Sequence, residues 1–310
     1  MHSNSNKAKP FLKWAGGKTQ LLKEIGKSIP NNLTKSTFTY IEPFVGSGAV
    51  LFWILQKYPK IEYAVINDVN IDLINTYKVI KEQPQDLIEI LRFFEEEYHY
   101  LDKDTEAKKV YYYEKRTAYN TRTASKTRQA AYFIFLNKTC FNGLYRVNKK
   151  NGFNVPMGRY VKPTICDIPN ILNVNRLLQK VQILTGDFEI VPTNQSDPTF
   201  YYFDPPYKPL TETASFTAYA KTGFTDKDQI RLARFCQDIH NNGNYWMLSN
   251  SNPLSPDGTL SFFQTIYKDF NIREVQAKRS INSNGQKRGK LSELLITNYQ
   301  YDKVIQTSLF

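Results

Sequence analysis

Thr37-Phe38-Thr39-Tyr40-Ile41 running straight into Glu42-Pro43-Phe44-Val45-Gly46-Ser47-Gly48 is the stretch that decides the fold. Its β-branched and aromatic half predicts a short strand. Gly46 and Gly48 predict a tight turn at the strand's carboxyl end, with a backbone that a ligand can approach closely. The apolar run Ala49–Leu55 then predicts a helix. Ile61–Ile66 reads as a second strand ending at Asn67-Asp68, and Ile71–Ile80 as a second apolar-periodic helix. This alternation is that of a βαβ unit in a mostly parallel sheet. Alone, a short glycine motif is as often a plain tight turn. Asp68 viewed alone suits the cap of the next helix as well as it suits a ribose, which acidic residues at this place hydrogen-bond in nucleotide-binding folds.

Working outward, Pro84–Leu101 and Thr105–Leu136 are mainly helical in pattern, whereas Phe141–Lys162 is rich in turn signals and predicts a β-hairpin around Asn148–Gly152. The α/β rhythm returns with strands at Val181–Thr185, followed by Gly186-Asp187-Phe188, and at Thr199–Phe203, followed by Asp204-Pro205-Pro206-Tyr207. A polar, Thr-rich loop leads to a helix from about Thr225 to Asn241, with Gly243 as its stop signal. Tyr245–Ser249, Ile272–Ala277 and Leu291–Asn298 supply three more strands. The expected organisation is one α/β domain (residues 10–82 and 181–300) split by an insertion (83–180).

The charge falls on that insertion. The chain has 310 residues with 41 Lys and Arg against 29 Asp and Glu, a net +12. Lys115–Lys162 holds eleven basic residues and no acidic one, so the remainder is nearly balanced (+12 less +11 is +1). Lys278–Lys290 adds a second run of five cations without an acid. Concentrated cations on a balanced chain suit a polyanion, and the Tyr, Phe and Asn among them suit nucleic acid better than a lipid surface. The alternative is a merely solvated basic face. Hydrophobic residues at 41% and charged ones at 23% exclude wholesale disorder. The apolar runs are too short to span a bilayer, and Met1–Pro10 lacks the apolar stretch of a signal peptide. Three cysteines and three histidines lie scattered, matching neither a disulfide framework nor a zinc spacing. The expectation is a cytoplasmic protein that binds no membrane and no metal.

Asp204-Pro205-Pro206-Tyr207 carries the sharpest chemistry. Two prolines after a strand remove donors and fix φ, so neighbouring carbonyls cannot all join a sheet ladder. A carboxylate, a carbonyl acceptor and an aromatic face therefore converge at a strand end. That trio suits a planar base with an exocyclic amine, whose two hydrogens can be accepted while the ring stacks. In isolation the same residues could be an Asp-Pro turn. Gly17-Lys18-Thr19 invites a phosphate-loop reading, but the first glycine of that motif would fall on Leu12 and no strand precedes it.

Taken together and in this order, Lys13-Trp14-Ala15-Gly16-Gly17-Lys18, Glu42–Gly48, Asn67-Asp68, Gly186-Asp187-Phe188 and Asp204–Tyr207 resemble the Dam-type DNA adenine-N6 methyltransferases of the alpha group. The resemblance extends through Phe141–Arg146, Phe153–Tyr160 and Arg279–Gly285, covers roughly residues 10–300, and looks closest to members acting on GATC, including those of restriction systems. It implies a Rossmann-like, S-adenosylmethionine-dependent methyltransferase sheet with an inserted helical and β-hairpin target-recognition domain, acting on double-stranded DNA, in some members alongside a cognate endonuclease. By resemblance, Trp14, Lys18, Asp68, Asp187 and Phe188 line the S-adenosylmethionine site with the Phe44-x-Gly46-x-Gly48 turn and Asp204. Asp204, Pro205 and Tyr207 become the catalytic group. Phe141, Asn142, Leu144, Arg146, Pro156, Arg159 and Tyr160 match positions that meet DNA in relatives, and Lys13 is placed with them. Phe141 departs from the pattern where some relatives have tyrosine, so a ring insertion survives but a hydroxyl contact does not.

The chemistry expected is direct transfer. The adenine amine is a poor nucleophile because its lone pair is conjugated into the ring, and acceptance of both hydrogens by Asp204 and Pro205 frees that pair. Cytosine-C5 methylation needs a cysteine nucleophile, usually after proline, yet Cys140, Cys166 and Cys236 follow Thr139, Ile165 and Phe235. Cytosine-N4 methylation shares the amine geometry and is disfavoured by Asp in place of Ser before Pro-Pro-Tyr. Protein-glutamine or RNA methylation fits the basic insertion poorly. A catalytically silent DNA-binding relative would not need Asp204–Tyr207 intact.

Overall fold

A computed structural model describes residues 7–14, 16, 18–195, 197–208, 223–252, 261–277 and 291–300. The expected basic run Lys278–Lys290, the Arg279–Gly285 motif, Ala15, Gly17 and most of the Thr-rich loop lie outside them. Seven strands form one sheet in the order β3-β2-β1-β4-β5-β7-β6. They are β1 Phe38–Glu42, β2 Ile61–Ile66, β3 Val181–Ile183, β4 Thr199–Phe203, β5 Tyr245–Ser251, β6 Asn271–Ala277 and β7 Leu291–Thr297. The described helices are α1 Leu22–Ser28, α2 Ala49–Lys57, α3 Ile71–Glu82, α4 Pro84–Tyr100, α5 Thr105–Thr121, α6 Lys126–Thr139, α7 Ile168–Leu178, α8 Asp226–Asn241 and α9 Phe262–Ile266. This is the expected Rossmann-like α/β architecture. None of the described helices is long and apolar enough to cross a membrane.

Local chemistry sets the helix ends. Asn70 caps α3 by accepting from Leu73 N at 3.0 Å, and Asp104 caps α5 from Ala107 N at 2.9 Å. The helical stretch read over Thr105–Leu136 is two helices, because Arg122 turns into the left-handed region (φ 59°) and Ser125 then caps α6. Thr225 and Asp228 form a reciprocal capping box at the start of α8. Short α1 and α9 show no readable periodicity in the sequence, and α7 was missed there despite its Asp167 cap and early Pro169.

The chain divides into two compact units. One comprises Met1–Lys18, Val45–Pro59 and Ile66–Phe188. It is built around α6, on which α3, α4 and α5 pack. Ala130–Leu136 is buried throughout, and aromatic rings fill the contacts: Phe94 stacks on Tyr132 at 5.3 Å and meets Phe135 edge-on at 5.8 Å. Because α3 packs on both α6 and α7, and α2 on α7, the helices that follow the first two strands belong to the same compact body as α4, α5 and α6.

The other unit comprises Thr19–Phe44, Lys60–Val65 and Glu189–Phe310. Here β1, β4 and β5 run parallel, with Tyr40 opposite Phe200 and Tyr201 opposite Trp246. β7 and β6 then follow antiparallel, with Ser249 opposite Leu295 and Arg273 opposite Leu295. All five residues of β1 and of β4 are buried, as central parallel strands require. Trp246 is fully buried and meets Phe270 at 4.8 Å.

Candidate functional site

The sheet order reverses between β1 and β4, and open α/β sheets bind ligands beyond the carboxyl ends of strands at such a point. β1 leads to Phe44, whose ring meets Phe224 edge-on at 5.7 Å. β4 leads to Asp204, half-buried, and to Pro205, buried. Ser249 Oγ on β5 donates to Asp204 Oδ1 at 3.1 Å, and Tyr202 Oη lies 2.9 Å from Ser249 Oγ. Gln229 Nε2 donates to the Pro206 carbonyl at 3.1 Å, and Asn250 Nδ2 to Gln229 Oε1 at 3.4 Å. The Pro205 carbonyl accepts no hydrogen bond from the described residues. Among the described residues, one of the two adjacent proline carbonyls is occupied and the other is not, beside an oriented carboxylate.

Tyr207 Oη donates to Glu293 Oε2 on β7 at 2.6 Å. Burial, followed by the charges of Asp204 and Glu293, pushes its phenol far above the usual range, so it stays neutral. The fully buried Tyr40 and Tyr202 hydroxyls are also pushed up, chiefly by burial, and Tyr40 Oη donates to Glu42 Oε2 at 2.8 Å. A low-dielectric strand end of this kind strengthens each polar contact made in it. The sequence reading missed Ser249, Glu293 and Gln229. Ser249 and Asn250 left one trace there, as polar residues inside the apolar strand Tyr245–Ser251.

The glycine turn and Asp68 meet in the other unit. Gly46 and Gly48 adopt φ of +48° and +75°. A Cβ on Gly48 would stand 2.5 Å from Tyr77 Oη, and one on Gly46 would press on Trp14 Cδ1 at 3.3 Å. Asp68 Oδ2 accepts from Gly46 N at 3.0 Å and Oδ1 from Asn70 N at 2.9 Å. Asp68 is therefore not the cap of α3, a role taken by Asn70. Burial pushes the Asp68 carboxyl up from its ordinary value, against backbone N–H groups of Asn70, Gly46 and Val69 that pull it down. It makes no ion pair among the described residues. A carboxylate without a cation, beside a glycine turn where no side chain fits, suits the hydroxyls of a nucleoside.

Trp14 stacks on Tyr145 at 5.4 Å and meets Phe133 edge-on at 6.3 Å. Buried Asn137 holds the neighbouring backbone: its Oδ1 accepts from Lys13 N at 2.8 Å, and its Nδ2 donates to the carbonyls of Lys13 at 2.8 Å and Gly143 at 3.0 Å. Lys18 is buried, with Nζ donating to the Gly16 carbonyl at 3.1 Å. Phe188 is buried and Asp187 exposed, and Asn67 Nδ2 donates to the Gly186 carbonyl between them and β2 at 3.0 Å.

In the turn-rich segment Phe141–Lys162 many side chains face outward while Phe153 and Val155 are buried. Phe141, Asn142, Leu144, Arg146, Pro156 and Arg159 are exposed, and Tyr160 is half-buried under Lys13 Nζ, 4.0 Å from its ring centre. Asn142 takes φ 54° and Gly143 φ 62°, where a Cβ on Gly143 would run into the Lys13 stem at 2.4 Å. The expected hairpin is present. Val147 bridges Phe153, Asn148 N donates to the Gly152 carbonyl at 2.9 Å, and Asn151 turns at φ 58°. Arg146 Nε donates to Asn154 Oδ1 at 2.7 Å and its Nη2 to the Asn154 carbonyl at 3.2 Å, so the guanidinium is held before any ligand arrives. Lys126, Arg128, Lys149, Lys150 and Arg159 are exposed and make no ion pair among the described residues. No group of three or more His, Cys, Asp or Glu among the described residues could hold a metal ion.

Comparison with known proteins agrees with this geometry. The family described as D12 class N6 adenine-specific DNA methyltransferase matches residues 14–281. Type II methyltransferase M.MjaIII of Methanocaldococcus jannaschii is 50% identical over 295 residues, covering 94% of this chain and 99% of its own. Type II methyltransferase M1.LlaDCHI of Lactococcus lactis subsp. cremoris is 38% identical, covering 96% and 98%. The DNA adenine methylase of Escherichia coli K12 is 31% identical, covering 93% and 95%.

Proposed function

The chain belongs to the D12 class N6 adenine-specific DNA methyltransferases, and on that premise we propose which residues do its work and on which sequence. The activity is methyl transfer from S-adenosylmethionine to N6 of adenine in DNA. When bound, S-adenosylmethionine supplies an electrophilic methyl on a sulfonium. Trp14, Lys18, the Phe44-x-Gly46-x-Gly48 turn, Asp68, Asp187 and Phe188 hold it, with Asp68 accepting from the ribose hydroxyls.

Asp204 and the Pro205 carbonyl accept the two hydrogens of the adenine amine. Nitrogen is thereby drawn towards a tetrahedral shape, its lone pair leaves the ring, and Asp204 stands ready for the hydrogen that nitrogen sheds. Tyr207 stacks on a base turned out of the duplex. The observation that carries this reading is the strand end itself: Asp204 is oriented by Ser249, and among the described residues Gln229 occupies the Pro206 carbonyl while none donates to that of Pro205. Alignment of the two reactants supplies roughly 7–11 kcal/mol of the barrier.

Residues 83–180 read DNA and residues 10–82 with 181–300 carry out transfer. The target is double-stranded GATC, with Arg146 on a guanine, Phe141 beside the extruded base, and Lys13, Asn142, Leu144, Pro156, Arg159 and Tyr160 along the same interface. Relatives named as type II methyltransferases support a place beside a cognate restriction endonuclease, in the cytoplasm where the chromosome lies. Tritiated methyl offered with GATC duplexes and with each single-base variant tests this directly. N6-methyladenine confined to GATC is expected. Equal labelling of all duplexes overturns the sequence assignment.

A further inference from the structure

Asp72 is the second residue of α3, four residues beyond Asp68, and a carboxylate there needs no partner beyond the helix N-terminus itself. It has three. Tyr119 Oη donates to Asp72 Oδ2 at 2.7 Å, Tyr145 Oη reaches the same oxygen at 3.4 Å, and Arg122 pairs with Oδ1. The partners come from α5, from the residue after α5 and from the turn-rich segment, far along the chain from Asp72. The Asp72 side chain is only 14% exposed, so its charge is paired where solvent screens it little.

Each partner leads on to a different part of the same compact unit. The Tyr145 ring is the one stacked on Trp14, 24° from parallel, and Trp14 Cδ1 closes over Gly46. Arg122 Nη2 donates to the Asn151 carbonyl at the hairpin tip at 3.4 Å, and its guanidinium lies 4.2 Å from the Tyr119 ring centre. Arg122 also holds a left-handed backbone, φ 59°, that a non-glycine residue adopts only when its surroundings insist. One carboxylate thus ties the ring beside the glycine turn to the tip of the hairpin.

We propose that Asp72 is a positioning residue that couples the cofactor side of the enzyme to its DNA-reading hairpin, acting on Trp14 through Tyr145 and on Asn151 through Arg122. The proposal rests on the reading that Trp14 lines the cofactor site. Cofactor and DNA then favour one shared arrangement of Asp72, Tyr145 and Arg122, and each tightens the binding of the other.

Four full-length proteins test it: wild type, Tyr145→Phe, Asp72→Asn and Trp14→Leu. Affinity for S-adenosylmethionine is measured by calorimetry with and without a GATC duplex, alongside kcat and both KM values. Tyr145→Phe keeps the stacked ring and loses only the hydroxyl. It is expected to weaken cofactor binding roughly three- to tenfold, the worth of one hydrogen bond, with kcat at saturation within about twofold of wild type. The tightening of cofactor by DNA should shrink in the same variant, and Asp72→Asn should do both more strongly. If Asp72→Asn does not fold, Tyr145→Phe decides alone. Wild-type cofactor affinity in Tyr145→Phe, with Trp14→Leu impaired, overturns the coupling and leaves the reading of Trp14 standing. Wild-type affinity in Trp14→Leu overturns that reading and the coupling with it. A loss confined to kcat, with KM and affinity unmoved, also overturns the proposal.

Discussion

At the end of β4 the polar side chains are enclosed and held: Ser249 orients Asp204, Glu293 takes the Tyr207 hydroxyl, and the strand before them is buried along its length. Between Phe141 and Lys162 the cationic side chains face solvent, while Tyr145, Asn154 and Tyr160 are half-buried. Rigidity there comes from the backbone, through left-handed Asn142, Gly143 and Asn151 and through the Asn137 bridge to Lys13 and Gly143. The difference suits the work proposed for each region. Developing charge on a reacting nitrogen is best met by acceptors that need no reorganisation in a dry setting. A duplex is met by side chains that reach outward, so most are fixed in advance only at their backbone, Arg146 being held at its guanidinium as well.

Asp204→Ala should break the enclosed end most completely, lowering turnover by roughly 10²–10³-fold or more while the protein keeps a cooperative thermal unfolding transition. Retention of more than a few per cent of the wild-type rate would falsify Asp204 as the amine acceptor. Arg146→Ala should act on the exposed side instead, removing roughly 1–3 kcal/mol of discrimination at one guanine. Turnover on altered sites would rise relative to GATC, while other positions stay strict. An equal slowing of all duplexes would make Arg146 a backbone contact and pass the base-reading role to Arg159. Asn154→Ala, which removes the side-chain acceptor of Arg146 Nε and keeps the backbone one, should shift the same ratio in the same direction by less.

Ser249→Ala sharpens the enclosed side further. It removes one donor to the Asp204 carboxylate and should cost roughly tenfold in kcat with the cofactor KM unchanged; a rise in KM alone would show that Ser249 serves the cofactor. The smallest effect concerns salt. DNA affinity should fall by about 0.9 in log K per log unit of salt for each phosphate contact, and Lys149→Ala should remove about one such contact. Cofactor affinity should respond far less. Equal salt slopes for DNA and cofactor would reduce the cationic segment to a solvated face.

Much of this contrast is legible in residue order. The predicted strands at 37–41, 61–66, 181–185 and 199–203 lie within a residue or two of where strands form, because short β-branched and aromatic runs bounded by turn residues mark them. The hairpin at Asn148–Gly152 was readable from its Asn-Gly pair. The break at Arg122 was not: no glycine or proline marks it, and the Asp72 carboxylate that Arg122 pairs with lies fifty positions earlier in the chain (122 less 72). Asp68 was ambiguous for a related reason. Cap and ribose acceptor demand the same residue type, and only the bond from Leu73 N to Asn70 assigns the cap elsewhere.

By itself the sequence determined the α/β class, the glycine turn, the Asp-Pro-Pro-Tyr strand end and the concentration of positive charge, because each of these is written in contiguous residues or in their count. Tertiary structure alone decided that Ser249 and Glu293 bond Asp204 and Tyr207, that Gln229 occupies the Pro206 carbonyl, and that Asp72 gathers Tyr119, Arg122 and Tyr145. Those relations join residues on different strands and helices. A hydrogen bond acts over about 3 Å in space and is indifferent to separation along the chain, so no local pattern records it.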